Sequence, residues 1–440
     1  MCQHALSIPG MTGYVKYLFA SSTSTSTRGF NMFAITVAIV FALTLLTTQA
    51  MQAQAFRVLH NFTGGADGAN PYAGVTVGPS GVLYGTASRG GAYYNGTVFK
   101  LSRVNSSWIF SPLYPFTGNY DGGVPYGGVV IGPNGALYGT TFYGGALNYG
   151  VMFELRPSAT FCRSVLCYWN ETILQTFGQF QVDGEYPQYV NLAFDQAGNI
   201  YGTTLSGGLY DFGTMFELGS GGETIYAFGS GGGGVYPPAG VVLDTTGNVY
   251  GTTNSGVYQL MPSDGGWVEN VLVNFNGANG DYPQDSLIID DSGNLYGTTV
   301  LGGQNGDGVV FRLAPSGGGF TYSVLYSFSA CEPHGGVAMD AAGNLFGVCQ
   351  TGGANGDGWI FELTNCGETC GVVDLHDFSG SDGSGPLGAP VLDANGNLYG
   401  TTLSGGTVTC GCGVVWEIPG VGAVHSTETP GSAAEQPKAQ

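Results

Sequence analysis

The chain has 440 residues, of which 79 are Gly and only 9% are charged. Ordinary globular domains carry about a quarter charged residues, so Gly, Ser, Thr, Asn and Tyr must supply much of this surface. A hydrophobic share of 43% excludes a disordered chain, and glycine without a three-residue period excludes collagen. Because each interior Gly costs a helix about 1 kcal/mol relative to Ala, a turn-rich all-β protein is the remaining class.

The charge balance is strongly acidic, with 10 Lys and Arg against 30 Asp and Glu and a net charge of −20. Between Arg163 and Lys438 the sequence contains a single basic residue, Arg312. Nucleic acids and anionic membrane surfaces are bound by stripes of Lys and Arg, which this sequence lacks. We therefore expect neither as a partner.

The N-terminal segment has the pattern of an export signal. Residues 32–46 form a run of 15 residues without a charge, preceded by Arg28 and followed by the small-x-small sequence Ala-Gln-Ala at 53–55. This run has the length of a signal-peptide core and is short for a membrane span of about 20 residues. We expect cleavage near Phe56 and a secreted or cell-surface protein; an uncleaved signal anchor is the alternative, and the true start codon stays open.

One phrase, of the type LYGTT, recurs seven times and defines the internal repeat. Its aromatic residues are 46 to 63 positions apart. Periods of this size are typical of propellers or solenoids. The seven aromatic residues are Tyr84, Tyr138, Tyr201, Tyr250, Tyr296, Phe346 and Tyr399.

Each repeat divides into four strand-like runs. In the second repeat these are residues 128–133, 136–142, 151–157 and 171–177, rich in Val, Ile, Tyr, Phe and Thr and separated by Gly, Pro and Asn. Such runs predict β-strands, and four antiparallel strands per repeat form a propeller blade.

The two chain ends predict how the ring closes. An aliphatic-x-x-Phe signature marks the fourth strand, but its first copy (residues 58–62) precedes blade 1, and none follows residues 413–419. The N-terminal strand then supplies the outer strand of the last blade, which removes exposed sheet edges. We predict an all-β, seven-bladed β-propeller over residues 56–420, with a leader at 1–55 and a disordered tail at 421–440.

The combined phrase LYGTT-x-x-GG, G-x-(V/M)-F-E-L and L-Y-x-F-x-G-x-x-D-G-x-x-P resembles the GloVer tandem repeat of exported bacterial proteins. The resemblance covers about residues 56–420 and implies a repeat-built extracellular β-propeller without an assigned catalytic activity. It also implies a C-terminal surface anchor in many members. Residues 424–440 contain neither an apolar span nor a basic cluster, so we expect release from the cell.

A second repeated feature is the turn before each YGT strand, which begins with Asp in five repeats and contains Gly-Asn. A carboxylate at this place caps a β-turn, and the Gly takes the left-handed conformation. Calcium binding is the alternative, although the ligand spacing of an EF-hand is absent. We expect no cofactor, since nothing in the sequence supports calcium or magnesium. The five residues are Asp195, Asp244, Asp290, Asp340 and Asp393.

The longer loops are predicted on one face of the propeller, where function usually resides. They carry Tyr beside Asp and Asn, a combination that suits sugars because aromatic rings stack on C–H faces and acids accept hydroxyl hydrogen bonds. The alternative is that these tyrosines only cover neighbouring blades. The candidates for binding an extracellular glycan or other surface ligand are Tyr94, Tyr120, Tyr149, Tyr210 and Asp211.

A sharper candidate site follows the proline that links each blade to the next. The residue after this proline varies while the proline recurs, as expected for a common frame that presents a tailored rim at the mouth of the channel. The alternative is plain solvent exposure. The rim residues are Tyr72, Tyr126, Gln188, Pro238, Gln284, His334 and Leu387.

Catalytic patterns are sparse. His60 and His376 occupy the Tyr position of the outer-strand signature and are expected to pack. Only His334 has a plausible site, and a hydrolase or lyase would combine it with Asp281 or Asp307. The repeats also distantly resemble streptogramin-lyase propellers, whose chemistry uses a His with Mg²⁺. The Trp of that pattern is Tyr here, and we favour a non-enzymatic, monomeric protein.

Eight cysteines follow the leader, an even number that favours disulfides in an exported chain. The predicted blades place Cys162–Cys167 and Cys366–Cys370 in hairpins on one face and Cys331–Cys349 on the other. A four-cysteine zinc site would have to cross the molecule, which excludes it. A Cys410–Cys412 bond would close a strained ring, so the pairing of these two residues stays open.

Overall fold

The structure, a computed structural model, describes residues 56–158, 168–219, 222–229, 234–367 and 369–422. The strands of the first half of the chain are β1 (Arg57–Asn61), β2 (Thr76–Val77), β3 (Leu83–Ala87), β4 (Thr97–Val104), β5 (Ser107–Pro115), β6 (Val130–Ile131), β7 (Leu137–Thr141), β8 (Val151–Arg156), β9 (Asn170–Thr176), β10 (Gly184–Glu185), β11 (Ala193–Phe194), β12 (Ile200–Thr204), β13 (Ser206–Gly207), β14 (Thr214–Gly219) and β15 (Gly222–Ala227). Those of the second half are β16 (Val242–Leu243), β17 (Val249–Thr253), β18 (Gly256–Ser263), β19 (Gly266–Asn274), β20 (Ile288–Ile289), β21 (Leu295–Thr299), β22 (Val309–Ser316), β23 (Gly319–Ser327), β24 (Ala338–Met339), β25 (Leu345–Cys349), β26 (Trp359–Thr364), β27 (Gly371–Asp377), β28 (Val391–Leu392), β29 (Leu398–Thr402) and β30 (Val414–Ile418). A single 3₁₀ turn, Pro79–Gly81, lies between β2 and β3 in the described chain.

Twenty-eight of these strands form a seven-bladed β-propeller of four-stranded antiparallel sheets across the described residues, as predicted, and β10 pairs with β13 in a separate two-stranded sheet. In each blade a two-residue strand is innermost, the YGT strand is second, and two strands of five to nine residues lie outside it. Blade 1, for example, has the order β2-β3-β4-β5. Innermost strands of neighbouring blades contact each other, as β28 does with both β24 and β2. They therefore line the central channel.

The N-terminal strand closes the ring, which confirms the second part of the fold prediction. Strand β1 pairs antiparallel with β30, so that Arg57 lies opposite Glu417 and Asn61 opposite Val414. The sheet order of the last blade is β1-β30-β29-β28. All five residues of β30 are buried, because this strand has a neighbour on each side.

The glycine of the YGT phrase allows the third strand to pack. In blade 2, Gly139 lies opposite Phe153 in the strand register. A methyl group on Gly139 would lie 2.7 Å from the end of the fully buried Phe153 ring. The same contact joins Gly85 to Phe99 and Gly400 to Trp416, so this glycine makes room for the largest core side chain of the blade.

The aspartate turns have the geometry predicted for a structural cap. Asp244 Oδ1 accepts hydrogen bonds from the backbone N–H of Thr246 and of Asn248, and Oδ2 accepts from the Asn248 amide and the Tyr250 hydroxyl. Burial acts to raise the pKa of Asp244, but these hydrogen bonds hold it below its usual value. Within the described residues no group of three or more His, Cys, Asp and Glu side chains is arranged to hold a metal ion.

Three disulfides are present in the described residues. Cys331–Cys349 and Cys366–Cys370 are the pairs expected from the sequence, whereas Cys162 and Cys167 lie outside the described residues. The structure also joins Cys410 to Cys412, with Cα atoms 5.2 Å apart, a pairing that the sequence left open. Gly411 adopts a positive φ of 56°, which lets the chain turn between the two cysteines.

Residues 1–55 and 423–440, and hence the predicted signal peptide and most of the predicted tail, lie outside the described residues. In the part of the chain that is described, no helix has the length and hydrophobicity needed to cross a membrane.

Candidate functional site

A cavity of about 290 Å³ opens at the channel mouth, on the face that carries the blade-to-blade linkers. Its walls come from linkers and innermost strands rather than from one blade. Five of the seven predicted rim residues line it, namely Tyr72, Tyr126, Gln284, His334 and Leu387. The ring construction thus brings together residues that are more than 300 positions apart in the sequence.

Two predicted rim residues, Gln188 and Pro238, are not among the lining residues, and Tyr189 lines the cavity next to the first of them. The linker of blade 3 contains one residue more than the others, which moves Tyr189 into the rim position. Counting forward from the proline therefore identified the wrong residue in this blade. Counting back from the YGT phrase finds it, because Tyr189 precedes Tyr201 by the same 12 positions that separate Tyr72 from Tyr84.

One side of the cavity is an aromatic wall made of three tyrosines from blades 1, 2 and 3. The ring centroid of Tyr72 lies 4.8 Å from that of Tyr126 and 5.4 Å from that of Tyr189. The rings of Tyr126 and Tyr189 are 5.6 Å apart. Burial, together with the nearby Tyr72, raises the pKa of Tyr189 to about 12, so the Tyr189 hydroxyl keeps its proton over the physiological pH range.

The opposite side of the cavity is polar and belongs to blades 5 and 6. Gln284, Asp285, His334 and Gln350 line it. Asp285 Oδ2 accepts a hydrogen bond of 2.7 Å from the Gly336 backbone N–H, which ties blade 5 to blade 6. Burial raises the pKa of Asp285 to about 6 and lowers that of His334. The site therefore offers hydrogen-bonding groups but no permanent positive charge.

The loop candidates are spread over the rim of the same face. Tyr94 and Tyr120 are highly exposed at loop tips, with 79% and 77% of their surface accessible, and Tyr210 is 44% accessible. Tyr149 and Asp211 lie together instead, in a second cleft between blades 2 and 3. Apolar side chains that flank this cleft include Leu147, Phe180 and Leu209, all more than half exposed.

A chain of ring contacts connects the second cleft to the channel mouth. Tyr149 contacts Tyr186 at 5.2 Å, Tyr186 contacts Phe142 at 5.0 Å, and Phe142 contacts Tyr126 at 5.3 Å. Tyr149 therefore packs on a neighbouring ring, the covering role that the sequence left open for these tyrosines; glycan binding by the loop tyrosines stays a prediction.

The acids proposed as partners of His334 lie elsewhere. Asp307 Oδ2 accepts a hydrogen bond from the Ala330 backbone N–H, and Asp281 forms a backbone bridge with Leu301; neither lines the cavity. The acid that shares the cavity with His334 is Asp285. Sequence reasoning missed it because its equivalents in other blades are small or apolar residues, such as Ala73 and Gly127.

The other two histidines of the described chain pack at blade edges, as their place in the outer-strand signature predicts. His60 stacks on Phe110 with ring centroids 4.1 Å apart and bonds Asp67 at 3.0 Å. His376 stacks on Phe56 at 3.6 Å.

The sequence matches the profile of the Gloeobacter/Verrucomicrobia repeat over residues 36–258 and 168–332. The two matches overlap and together cover more than half of the chain. The protein therefore belongs to this repeat family. A search of curated protein sequences finds no match.

Solved structures with a similar fold include two propellers at low sequence identity. The extracellular domain of a hybrid two-component system from B. thetaiotaomicron is 14% identical with a TM-score of 0.53, covering 82% of this chain but only 39% of that one. Virginiamycin B lyase from Staphylococcus aureus is 14% identical with a TM-score of 0.52, covering 83% of this chain and 98% of the lyase. At this identity the likeness establishes the fold alone.

Proposed function

We propose that this protein is an exported, non-enzymatic propeller that binds carbohydrate, with the channel mouth as its primary site. The observation that carries the proposal is the cavity in which Tyr72, Tyr126 and Tyr189 face a polar wall. A sugar ring has the matching two-sided chemistry, since its C–H groups stack on aromatic rings and its hydroxyls exchange hydrogen bonds. The volume of about 290 Å³ suits one ring and not a long peptide.

Export is supported by two independent features of the chain. Residues 32–55 have the order of a signal peptide, with an uncharged run and a small-x-small sequence. The described disulfides, including the buried pair Cys331–Cys349, are of the kind that persists in oxidising compartments. An extracellular glycan is the ligand that such a location offers.

The proposal is tested with the mature protein, residues 56–440, on an array of neutral, amino and acidic glycans. We expect saturable retention of a subset of glycans, unaffected by chelators, and its loss in Tyr72→Ala. Tyr168→Ala is the matched control, because Tyr168 is an exposed tyrosine at the β8–β9 hairpin, away from the channel mouth. An array without any retained glycan contradicts the proposal, as does equal loss in both variants.

One observation favours a second candidate, a lyase or hydrolase at the same mouth. Asp285 and His334 line one cavity. Burial raises the pKa of Asp285 and lowers that of His334, so burial favours the uncharged form of both side chains. Perturbed acid–base groups in a cleft are common in catalytic sites. This candidate requires turnover of a glycan that is lost in His334→Ala; binding without turnover, retained in that variant, supports the non-enzymatic proposal.

A further inference from the structure

The blade 3 linker differs from the other six by one residue. In six blades the linker proline lies five positions before the innermost strand, as Pro71 does before Thr76, but Pro187 lies six positions before Ala193. The extra residue is accommodated at Tyr189, which adopts a left-handed conformation with a φ of 52°. None of the equivalent rim residues in the other blades has a positive φ. This conformation is unfavourable for a tyrosine and persists only where its surroundings impose it.

The insertion coincides with the loss of a hydrogen bond between blades. In five blades the first Thr of the YGTT phrase donates a hydrogen bond to the carbonyl that follows the rim residue of the next blade, as Thr203 does to Ala239 at 2.6 Å. Among the described residues, the buried hydroxyl of Thr140, the equivalent threonine before the blade 3 linker in the repeat, has no such partner. The five donors are Thr86, Thr203, Thr252, Thr298 and Thr401.

The strained backbone of Tyr189 and the unpaired hydroxyl of Thr140 both destabilise the fold, and the insertion has one structural consequence that accompanies them. The added residue places the Tyr189 ring within 5.4 and 5.6 Å of Tyr72 and Tyr126 and completes the aromatic wall. Without the insertion, Gln188 would lie 12 positions before Tyr201 and would be the rim residue, as Gln284 is in blade 5. The wall would then contain two aromatic rings.

The charge of the cavity restricts what this wall can bind. Asp285 lines the cavity, and none of the described lining residues is Lys or Arg. A carboxylate or phosphate on the ligand would find no cation among the lining residues and would meet the field of a chain with a net charge of −20. Arg89, whose charge acts on Tyr126, lies outside the lining. The residues across from the tyrosines, Gln284 and Gln350, are neutral groups that both donate and accept hydrogen bonds.

We propose that the inserted residue makes Tyr189 the specificity-determining residue of the mouth and that the ligand class is a neutral pyranose. This inference rests on the carbohydrate function proposed above. The tyrosine wall stacks on the C–H face of the ring, and the glutamines bond its hydroxyls. Uronic acids and sugar phosphates are excluded by charge.

Three variants separate the ring from the insertion. Deleting Tyr189 restores the common linker length and places Gln188 at the rim. Tyr189→Gly keeps the linker length and tolerates the positive φ but removes the aromatic ring. Tyr189→Phe keeps both the linker length and the ring. Binding is measured by saturation-transfer NMR with glucose, galactose, mannose, xylose and N-acetylglucosamine, and with glucuronate as the acidic probe. Thermal unfolding is followed for each protein.

We expect the native protein to bind one or more neutral sugars and not glucuronate. The deletion and Tyr189→Gly weaken binding about tenfold or more, because a small site loses one of its ring contacts. Tyr189→Phe retains binding. The deletion also raises Tm by about 1–3 °C, because strain is removed and Thr140 regains an acceptor. This rise does not depend on any ligand.

Each departure from this pattern has a distinct meaning. If no sugar binds the native protein, the carbohydrate function and the ligand class are both wrong. If sugars bind but the deletion and Tyr189→Gly bind them equally well, the function stands and the role of Tyr189 is wrong. Binding of glucuronate overturns the neutral class, and a lower Tm in the deletion variant overturns the cost assigned to the insertion.

Discussion

At the scale of single residues, the hydroxyls of the YGTT threonines connect one blade to the next. Thr203 is fully buried, and its hydroxyl donates to the Ala239 carbonyl at 2.6 Å. We expect Thr203→Val to lower the free energy of unfolding by about 1–2 kcal/mol, because the buried carbonyl loses its donor. Chemical denaturation with a second probe of tertiary structure measures the change.

The matched substitution is Thr140→Val, at the same position of blade 2. The Thr140 hydroxyl is buried without a partner among the described residues, and blade 6 already carries Val348 at this position. We expect no loss of stability here, or a small gain, since an unpaired polar group is removed. Equal losses in both variants would show that the threonines act through packing and not through the interblade hydrogen bond.

At the residue level, the linker proline leads to the cavity lining in blades 1, 2, 5, 6 and 7, whose linkers have one length. Blade 4 has the same linker length, but its Pro238 is not among the lining residues. That these rim positions bind a ligand stays a prediction. Tyr189 was missed since an insertion shifts the count, and only the distance to the YGT phrase reveals the shift. Asp285 was missed for a different reason: one polar residue at a position that is otherwise small carries no repeat signal.

At the scale of strands, the number, order and closure of the blades were predictable from the sequence, whereas the length of the innermost strands was not. The run at 128–133 suggested a six-residue strand, but β6 contains only Val130 and Ile131. The residues before it are held by the adjacent blade, with the Gly128 N–H donating to Asn191 Oδ1 at 3.0 Å. Contacts between blades, which no single repeat encodes, shorten these strands.

The closing strand β1 is the element on which the ring depends. A chain that begins at Thr63 lacks β1 and the buried Phe62 and exposes the full edge of β30. We expect it to lose more than about 3 kcal/mol of stability, the least that a buried Phe ring contributes, and to aggregate through the open edge. Thermal unfolding and size-exclusion chromatography compare it with a chain that begins at Phe56. A monomer of unchanged Tm would mean that the seventh blade is stable with three strands.

At the scale of the whole molecule, the acidic side chains divide into two groups with opposite effects on stability. Burial raises the pKa of Glu171 to about 7 and that of Asp285 to about 6, with Asp121 adding to the first shift. The capping aspartates, such as Asp244 and Asp393, have lowered pKa values because hydrogen bonds outweigh their burial. The first group weakens the fold when it ionises, and the second strengthens it.

These opposite shifts predict a stability optimum at acidic pH. A carboxyl group with a raised pKa binds its proton more tightly in the folded state, so the contribution of Glu171 to stability falls as the pH rises from about 4.5 through about 7. A capping aspartate with a lowered pKa loses its contribution as the pH falls below its usual 3.8. Since net charge also vanishes near the pI of 4.2, self-repulsion changes in the same direction. We therefore expect the highest Tm between about pH 4 and 5.

The measurement is Tm in dilute protein from pH 3 to 9, for the native chain and for two variants. Glu171→Gln, which replaces the acid that accepts the Tyr114 hydroxyl at 2.9 Å, is expected to flatten the decline between pH 5 and 8. Asp244→Asn is expected to lower Tm at neutral pH and to leave that decline unchanged, because its titration lies below pH 4. A Tm that rises steadily up to pH 7 would mean that the buried carboxyl groups stay ionised in the fold, against the assignment made for Glu171 and Asp285.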